Sequence, residues 1–176
     1  MTEYIKGIHS IIENYEVILS DIWGVLWEGE TVFSDAIETL KAIQSHNKSL
    51  ILITNAPKSS QWIGRRLGQA GLQANLYQSI VSSGSVCYDY FKLKQPQARI
   101  KSIYLLGKDI DHQFFQRLPY RFVDSLEQAD CILLISLHDD QVQLTDYDDW
   151  IKEASHYKLP LDCANPDQCS IDQKGQ

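Results

Sequence analysis

Two apolar runs separated by a helical pattern constrain the fold of this chain more than any other feature. Residues 17–21 and 49–55 are short and rich in Val, Ile and Leu, which is typical of buried parallel strands. Between them, residues 35–43 carry apolar side chains at helical spacing, and Ser34 or Asp35 is the expected N-cap. A strand, a helix and a second strand form a right-handed parallel crossover. The sequence therefore predicts an α/β fold with a Rossmann-like parallel sheet at its core.

Both predicted strands deliver polar side chains to the same edge of that sheet. Asp21 closes the first strand, and Thr54 and Asn55 close the second. Ligands of open α/β sheets bind at the carboxyl ends of the strands. A carboxylate there can attack phosphorus or hold Mg²⁺, and a nearby hydroxyl and free N–H groups can bind phosphate oxygens. Taken alone, Asp21 is equally well explained as an acid that caps a turn.

Three short motifs, in order along the chain, resemble those of the haloacid dehalogenase (HAD) superfamily. Residues 21–29 resemble its first motif, residues 52–57 its second, and the Ala-Asn-Pro-Asp of residues 164–167 the signature of class IIA members. The resemblance implies a Mg²⁺-dependent phosphatase that hydrolyses a small phosphorylated metabolite through an aspartyl-phosphate. It also implies a HAD-like core domain, begun by residues 1–80, and an inserted α/β cap domain over residues 81–176.

The resemblance assigns roles to individual residues at the carboxyl edge of the sheet. Asp21 is the expected nucleophile and a metal ligand together with the backbone carbonyl of Trp23, and Thr54 is the expected catalytic partner. The residues expected to bind substrate are Asn55, Gly24, Trp27 and Lys58. Two of these have open alternatives: Trp27 is as well explained by packing, and a loop lysine such as Lys58 is most often simply solvated.

Trp23 departs from the first motif, which normally carries a second aspartate two residues after the nucleophile. That aspartate protonates the leaving oxygen and then activates the hydrolytic water, and an indole cannot exchange protons near neutral pH. A branch of class IIA resembles this pattern. Two functions therefore stay open: an impaired phosphatase, and a catalytically silent binding or scaffold protein on the same fold.

The third and fourth motifs of the family, a lysine and acidic Mg²⁺ ligands, follow the Asn-Pro-Asp signature. The sequence ends at Gln176, about ten residues after Pro166. We therefore expect the core and the cap to be incomplete, and turnover by the chain as given to be low. A core sheet with an uncovered edge also predicts either self-association into a homo-oligomer or a longer intact chain to which this segment belongs.

Composition excludes several classes of partner. A formal net charge of −7 argues against nucleic acid and anionic membranes. The longest apolar runs are about seven residues, too short to span a bilayer. The first residues lack a signal-peptide pattern, so a cytoplasmic location is expected. The four cysteines are scattered without a Cys-x-x-Cys spacing, which indicates reduced thiols rather than a zinc site.

Two further polar clusters have competing interpretations. Residues 82–85, Ser-Ser-Gly-Ser, are expected to begin a helix, where N–H groups can bind phosphate, or to form a hinge before the second domain. The hinge is favoured. Residues 138–140, His-Asp-Asp, are better explained as a polar loop than as a metal cluster, because three consecutive side chains do not easily converge on one ion.

Overall fold

The computed structural model of the chain describes residues 4–5, 7–94, 100–107, 109–136 and 144–165. These residues fall into two compact units. The first contains the described residues up to Thr54 together with Ser60–Val81, and the second contains Asn55–Ser59 together with the described residues from Ser82 onward.

The first unit is built on a three-stranded sheet with the strand order β1-β2-β3. Its strands and helices are β1 (Val17–Asp21), α1 (Ser34–Ser45), β2 (Ser49–Thr54), α2 (Ser60–Gln69) and β3 (Ser79–Ser82). β1 and β2 are parallel, with Val17 opposite Ser49 and Asp21 opposite Ile53. The predicted α/β fold, with a helical crossover between two parallel strands, is confirmed.

Helix α1 packs against β2 through two matching periodicities. The helix buries Ala36, Leu40 and Ile43, which recur at helical spacing, and β2 buries Leu50 and Leu52, which alternate along the strand. The side-chain periods of a helix and a strand place these residues on facing surfaces. This crossover fixes where the carboxyl ends of both strands emerge.

Two apolar side chains of β1 are exposed in the part of the chain that the structure describes. Val17 is 47% exposed and Leu19 is 61% exposed, and β1 lies at one edge of its sheet. Strands of parallel sheets are normally buried on both faces. An exposed apolar edge strand is the physical basis of the predicted self-association, which stays a prediction.

The start of α1 differs from the sequence-based expectation. Phe33 is the N-cap and no side chain caps the helix, so the predicted cap by Ser34 or Asp35 is wrong. Phe33 donates its N–H to the carbonyl of Leu26 (2.9 Å) and accepts the N–H of Ile37 (3.1 Å) at its own carbonyl. The chain therefore enters α1 from a loop that is already hydrogen-bonded, and this backbone connection orients the first turn.

The second unit contains a four-stranded sheet with the order β5-β4-β6-β7. Its helices and strands are α3 (Ser83–Lys94), β4 (Ser102–Leu106), α4 (Asp109–Phe115), β5 (Arg121–Val123), β6 (Cys131–Leu134), α5 (Asp148–His156) and β7 (Leu161–Cys163). All three strand pairings are parallel. The central strand β4 is buried at all positions but Tyr104, as expected for a strand covered on both faces.

Two apolar clusters pack within this second unit. One cluster contains Phe91, Phe115 and Tyr120, and the Tyr120 hydroxyl donates to the Phe91 carbonyl at 2.8 Å. The other cluster contains Ile132 and Tyr147. Since alternate residues of a strand point to opposite faces, neighbouring residues of β6 contribute to different clusters, which is how a parallel sheet is covered on both sides.

Asp130 ties the amino ends of β4 and β6 together. Its Oδ2 accepts the N–H groups of Lys101 and Ser102, both at 2.8 Å, and the Ser102 hydroxyl at 2.9 Å. The bond from the Lys101 backbone, with those from Ser102, holds the pKa of Asp130 below its ordinary value of 3.8. Because the pKa is lower in the folded state, the stabilisation is present above pH 3.8 and is lost as the pH falls through the folded-state pKa.

We expect the Asp130→Asn variant to melt at a lower temperature than the wild type at pH 7, and the difference to shrink at pH 3. The neutral amide cannot provide the charge-assisted bonds that the carboxylate makes above its pKa. Thermal unfolding followed by circular dichroism at both pH values measures the difference. Asp124→Asn, at an exposed position just after β5, is the control. An Asp130→Asn deficit of equal size at pH 7 and pH 3 would contradict the titration argument.

Candidate active site

Asp21 and Thr54 end two adjacent parallel strands. Asp21 is the last residue of β1 and lies opposite Ile53, and Thr54 follows Ile53 as the last residue of β2. The structure therefore brings these two predicted residues to the carboxyl edge of one sheet. Asp21 is exposed there, whereas Thr54 is only 8% exposed. Their chemical roles stay predictions.

The Asp21 carboxylate is oriented by the backbone N–H of the next residue. Its Oδ1 accepts the N–H of Ile22 at 2.8 Å. An ionised carboxylate has about four acceptor positions on its two oxygens, so this bond fixes the group and leaves capacity for a metal ion or a phosphorus atom. A nucleophile held in one orientation loses less entropy when it meets its substrate.

The loop after Asp21 is compact because its backbone groups bond to each other. The Ile22 carbonyl accepts the N–H groups of Leu26 (2.9 Å) and Trp27 (3.1 Å), and the Gly24 N–H donates to the Trp27 carbonyl at 2.9 Å. Gly24 has φ +72°, a left-handed conformation that glycine adopts without steric cost. Gly24 thus has a clear structural role in this turn, and its predicted contact with substrate stays a prediction.

Trp27 is buried among aromatic and cationic groups. It is 9% exposed, and its ring meets that of Trp23 edge-on, with ring centroids 5.5 Å apart. The guanidinium of Arg66 lies 6.0 Å from the Trp27 ring centroid and 5.9 Å from that of Trp62. These contacts hold the loop against α2. A contact between Trp27 and substrate stays a prediction.

Arg66 is a residue of this region that sequence reasoning missed. The available signal was its spacing: Arg66 lies four residues after Trp62 on α2, and side chains four residues apart share a helix face. Nothing in the sequence pairs Arg66 with Trp27, because the two residues belong to different elements. Contacts of this kind follow from tertiary packing and leave no periodic pattern.

Asn55 and Lys58 lie in a different unit from Asp21. They belong to the segment Asn55–Ser59, which groups with the second unit although it directly follows Thr54 in the chain. The backbone carbonyls of both residues accept hydrogen bonds from serine hydroxyls at the end of β3 and the start of α3, at 2.6 Å and 2.7 Å. Lys58 is half-buried, and its predicted contact with substrate stays a prediction.

The Asp21 carboxylate and the Trp23 carbonyl are oxygen donors, and the magnesium site assigned to them stays a prediction. Mg²⁺ prefers hard oxygen ligands, and in phosphate-transferring sites it is held by one or two carboxylates, substrate phosphate and water. The Gly24 N–H donates to the Trp27 carbonyl, and the Trp27 N–H donates to the Ile22 carbonyl. The Trp23 carbonyl accepts neither of these two hydrogen bonds. Among the described residues, no group of three or more His, Cys, Asp or Glu side chains could hold a metal. The substrate phosphate would have to supply part of the coordination.

Two predicted motifs extend beyond what the structure describes. Pro166 and Asp167 of the Asn-Pro-Asp signature lie outside the described residues, as do residues 138–140. Asn165 is described and is half-buried just after β7.

Comparison with known families gives one match that covers more than half of the chain. The model of a family described as haloacid dehalogenase-like hydrolase matches residues 18–121. The matched range contains Asp21, Thr54, Asn55 and Lys58. The predicted resemblance to this superfamily is thus confirmed over a range that contains the first two motifs and ends before the third.

Individual curated proteins that are similar to part of the chain are phosphatases. The chain is 25% identical over 109 residues to the chloroplastic phosphoglycolate phosphatase 1A of Arabidopsis thaliana, covering 61% of this chain and 30% of that protein. It is 28% identical over 107 residues to a 4-nitrophenylphosphatase of Schizosaccharomyces pombe, covering 58% of this chain and 35% of that protein. The chain therefore spans about a third of the length of these curated relatives.

A solved structure extends the similarity over nearly the whole chain. A haloacid dehalogenase-like hydrolase from Brucella suis 1330 superimposes with a TM-score of 0.81 at 27% sequence identity. The superposition covers 93% of this chain and 60% of that one. The arrangement of strands and helices described above is thus the arrangement found in that hydrolase.

Proposed function

We propose that this chain, which belongs to the haloacid dehalogenase-like hydrolases and resembles their class IIA members, provides the nucleophile of a phosphatase for small phosphate monoesters. The observation that carries the proposal is the placement of Asp21 and Thr54 at the carboxyl ends of adjacent parallel strands. An oriented carboxylate at the same sheet edge as a hydroxyl is suited to phosphoryl transfer, where positioning and charge stabilisation dominate catalysis.

In the proposed reaction Asp21 attacks phosphorus in line with the ester bond. A bond forms between a carboxylate oxygen and phosphorus, and the bond from phosphorus to the ester oxygen breaks. Water then attacks the aspartyl-phosphate, which releases inorganic phosphate and regenerates Asp21. The Thr54 hydroxyl and the Asn55 amide bind phosphate oxygens, and Lys58 attracts the anion. Magnesium held by Asp21 and the Trp23 carbonyl would supply positive charge against the phosphate oxygens.

Trp23 gives the proposed reaction a characteristic weakness. An indole at this position cannot protonate the leaving oxygen. The leaving group then departs as an anion or takes its proton from water, so the rate depends strongly on how stable that anion is. Aryl phosphates, whose leaving groups are weakly basic, are therefore the expected better substrates, and alkyl phosphates the poorer ones.

The second unit is proposed to act as the cap of the enzyme. A cap over residues 81–176 would exclude bulk water and select the substrate, beside a core begun by residues 1–80. The similarity to a phosphoglycolate phosphatase supports a small phosphorylated metabolite as the substrate class. We also propose a cytoplasmic, self-associating protein. Among the described residues, no helix is both long and apolar enough to cross a membrane.

The test is hydrolysis of 4-nitrophenyl phosphate and of 2-phosphoglycolate by the protein at its natural length. We expect activity that requires added Mg²⁺ and is lost with a chelator, with kcat/KM higher for the aryl ester. The same assay on a panel of sugar phosphates and nucleotides then searches for the natural substrate. If no member of the panel is hydrolysed, the enzyme proposal is wrong, and a silent binding protein on this fold takes its place, as Trp23 already suggests.

A further inference from the structure

We propose that Ser83, with Ser82 and Gly84, positions the segment that carries Asn55 and Lys58. These three residues at the junction of β3 and α3 are called the serine clamp below. The inference rests on the proposed function, because it concerns the segment assigned to phosphate binding. All the residues involved belong to the second unit.

Two hydroxyl groups of the clamp hold backbone carbonyls of the segment. The Ser83 Oγ donates to the Asn55 carbonyl at 2.6 Å, and the Ser82 Oγ donates to the Lys58 carbonyl at 2.7 Å. Ser82 is fully buried, and its Oγ also accepts the Ser85 N–H at 3.2 Å. A buried hydroxyl that both donates and accepts is well satisfied, so its geometry is firmly fixed.

Gly84 completes the clamp because its backbone lies directly against the backbone of the segment. Its N–H donates to the Ala56 carbonyl at 3.3 Å. A Cβ atom at this position would lie 2.5 Å from the Pro57 carbonyl carbon and 2.6 Å from the Lys58 carbonyl oxygen, which no side chain tolerates. Three consecutive residues of the clamp thus fix three backbone carbonyls within four consecutive residues of the segment.

These bonds also bear on the phosphate-binding interpretation of residues 82–85. The N–H groups of Gly84 and Ser85 donate within the protein, to the Ala56 carbonyl and the Ser82 hydroxyl. Two donors at the start of α3 are therefore already in use, which disfavours a phosphate site there. The cluster acts on the segment Asn55–Ser59 instead.

The consequence is that the junction of β3 and α3 fixes the backbone of the segment that presents Asn55 and Lys58. The clamp bonds span 24 and 28 residues of sequence, so they hold the segment through tertiary contacts. Holding binding groups in their productive geometry before the substrate arrives lowers the entropic cost of binding. Ser83 is therefore a positioning residue: it acts through Asn55 and does not itself touch the substrate.

The test compares Ser83→Ala with Ser83→Thr, which keeps the hydroxyl, and with Ser79→Ala, which removes an exposed hydroxyl on β3. The first readout is trypsin cleavage after Lys58, identified by the masses of the two fragments. The segment must open for cleavage, so loss of one hydrogen bond is expected to accelerate it about fivefold. Ser83→Thr and Ser79→Ala are expected to be cleaved at the wild-type rate.

The second readout is steady-state hydrolysis of 4-nitrophenyl phosphate. Ser83→Ala is expected to raise KM about fivefold with a smaller change in kcat, because a misplaced Asn55 weakens phosphate binding. Ser83→Thr should restore the wild-type KM. Faster trypsin cleavage with unchanged kcat and KM would show that the clamp is only structural, and unchanged cleavage would show that no clamp operates. Either result overturns the inference.

If the wild type hydrolyses none of these esters, the proposed function is wrong, but the inference about the clamp can still be tested. The test is then the rate of trypsin cleavage after Lys58 with and without inorganic phosphate. Phosphate that slows cleavage after Lys58 in the wild type, but not in Ser83→Ala, would support a clamp on an anion-binding segment. The absence of protection in the wild type would overturn it.

Discussion

The Asp21→Asn variant is expected to lose hydrolysis of phosphate monoesters by at least about 10³-fold, since removal of the covalent nucleophile of a hydrolase can cost about 10⁶-fold in kcat. An amide oxygen is a poor nucleophile towards phosphorus and a weaker ligand for a hard cation than a carboxylate. The asparagine Oδ1 still accepts the Ile22 N–H, so the loop after β1 keeps its geometry. The loss is therefore chemical rather than structural. The measurement is kcat/KM for 4-nitrophenyl phosphate with saturating Mg²⁺.

Two controls separate the loss of chemistry from a loss of folding. Asp35→Asn removes an exposed carboxylate in the first turn of α1 and is expected to leave kcat/KM unchanged. The melting temperature of Asp21→Asn should stay within a few degrees of the wild type, as for most substitutions at exposed positions. Acid quenching during turnover should trap phosphate on the peptide that contains Asp21. Retention of a tenth of the activity in Asp21→Asn would rule this residue out as the nucleophile.

The parallel crossover could be predicted because its signals are local. β1 and β2 coincide with two apolar runs bounded by polar residues, and α1 with a helical spacing of apolar residues. The same reasoning placed Asp21 and Thr54 together, since parallel strands end at the same edge of a sheet. The predicted N-cap of α1 was wrong because the sequence shows only that polar residues, which are common caps, lie near the helix start. In the structure Phe33 is the N-cap, and its backbone is oriented by a hydrogen bond to the preceding loop.

The surroundings of the site could not be predicted, because their contacts are long in sequence and not periodic. The hydroxyls of Ser82 and Ser83 donate to backbone carbonyls 24 and 28 residues away in the sequence. No sequence pattern predicts that a side chain will donate to a backbone carbonyl so far along the chain. The stacking of Arg66 against Trp27 likewise joins two separate elements. The sequence thus indicated which residues carry the proposed chemistry, whereas only the structure indicates what holds them.

The Trp23→Asp variant is expected to hydrolyse phosphate monoesters about 10²-fold faster, at the lower end of the gain that general acid–base assistance provides. The carboxyl group would stand two residues after the nucleophile, where it can protonate the leaving oxygen and then activate water. Trp23 is half-buried and meets Trp27 edge-on, so replacing the indole opens space for the carboxylate but removes an aromatic contact. The lost contact is worth about 0.5–1.5 kcal/mol, which lowers stability without blocking the chemistry.

The Trp23→Asn variant is the matched control for this gain. It opens the same space and loses the same aromatic contact, but an amide cannot exchange a proton. If Trp23→Asn is accelerated as much as Trp23→Asp, the gain comes from space or loop mobility, and the acid–base interpretation is wrong. If only Trp23→Asp gains, its advantage should be larger for alkyl phosphates than for 4-nitrophenyl phosphate, because a strongly basic leaving group depends more on protonation. A scaffold protein without a nucleophile cannot produce this dependence on the leaving group, so the pair of variants tests the nucleophile as well as the missing acid.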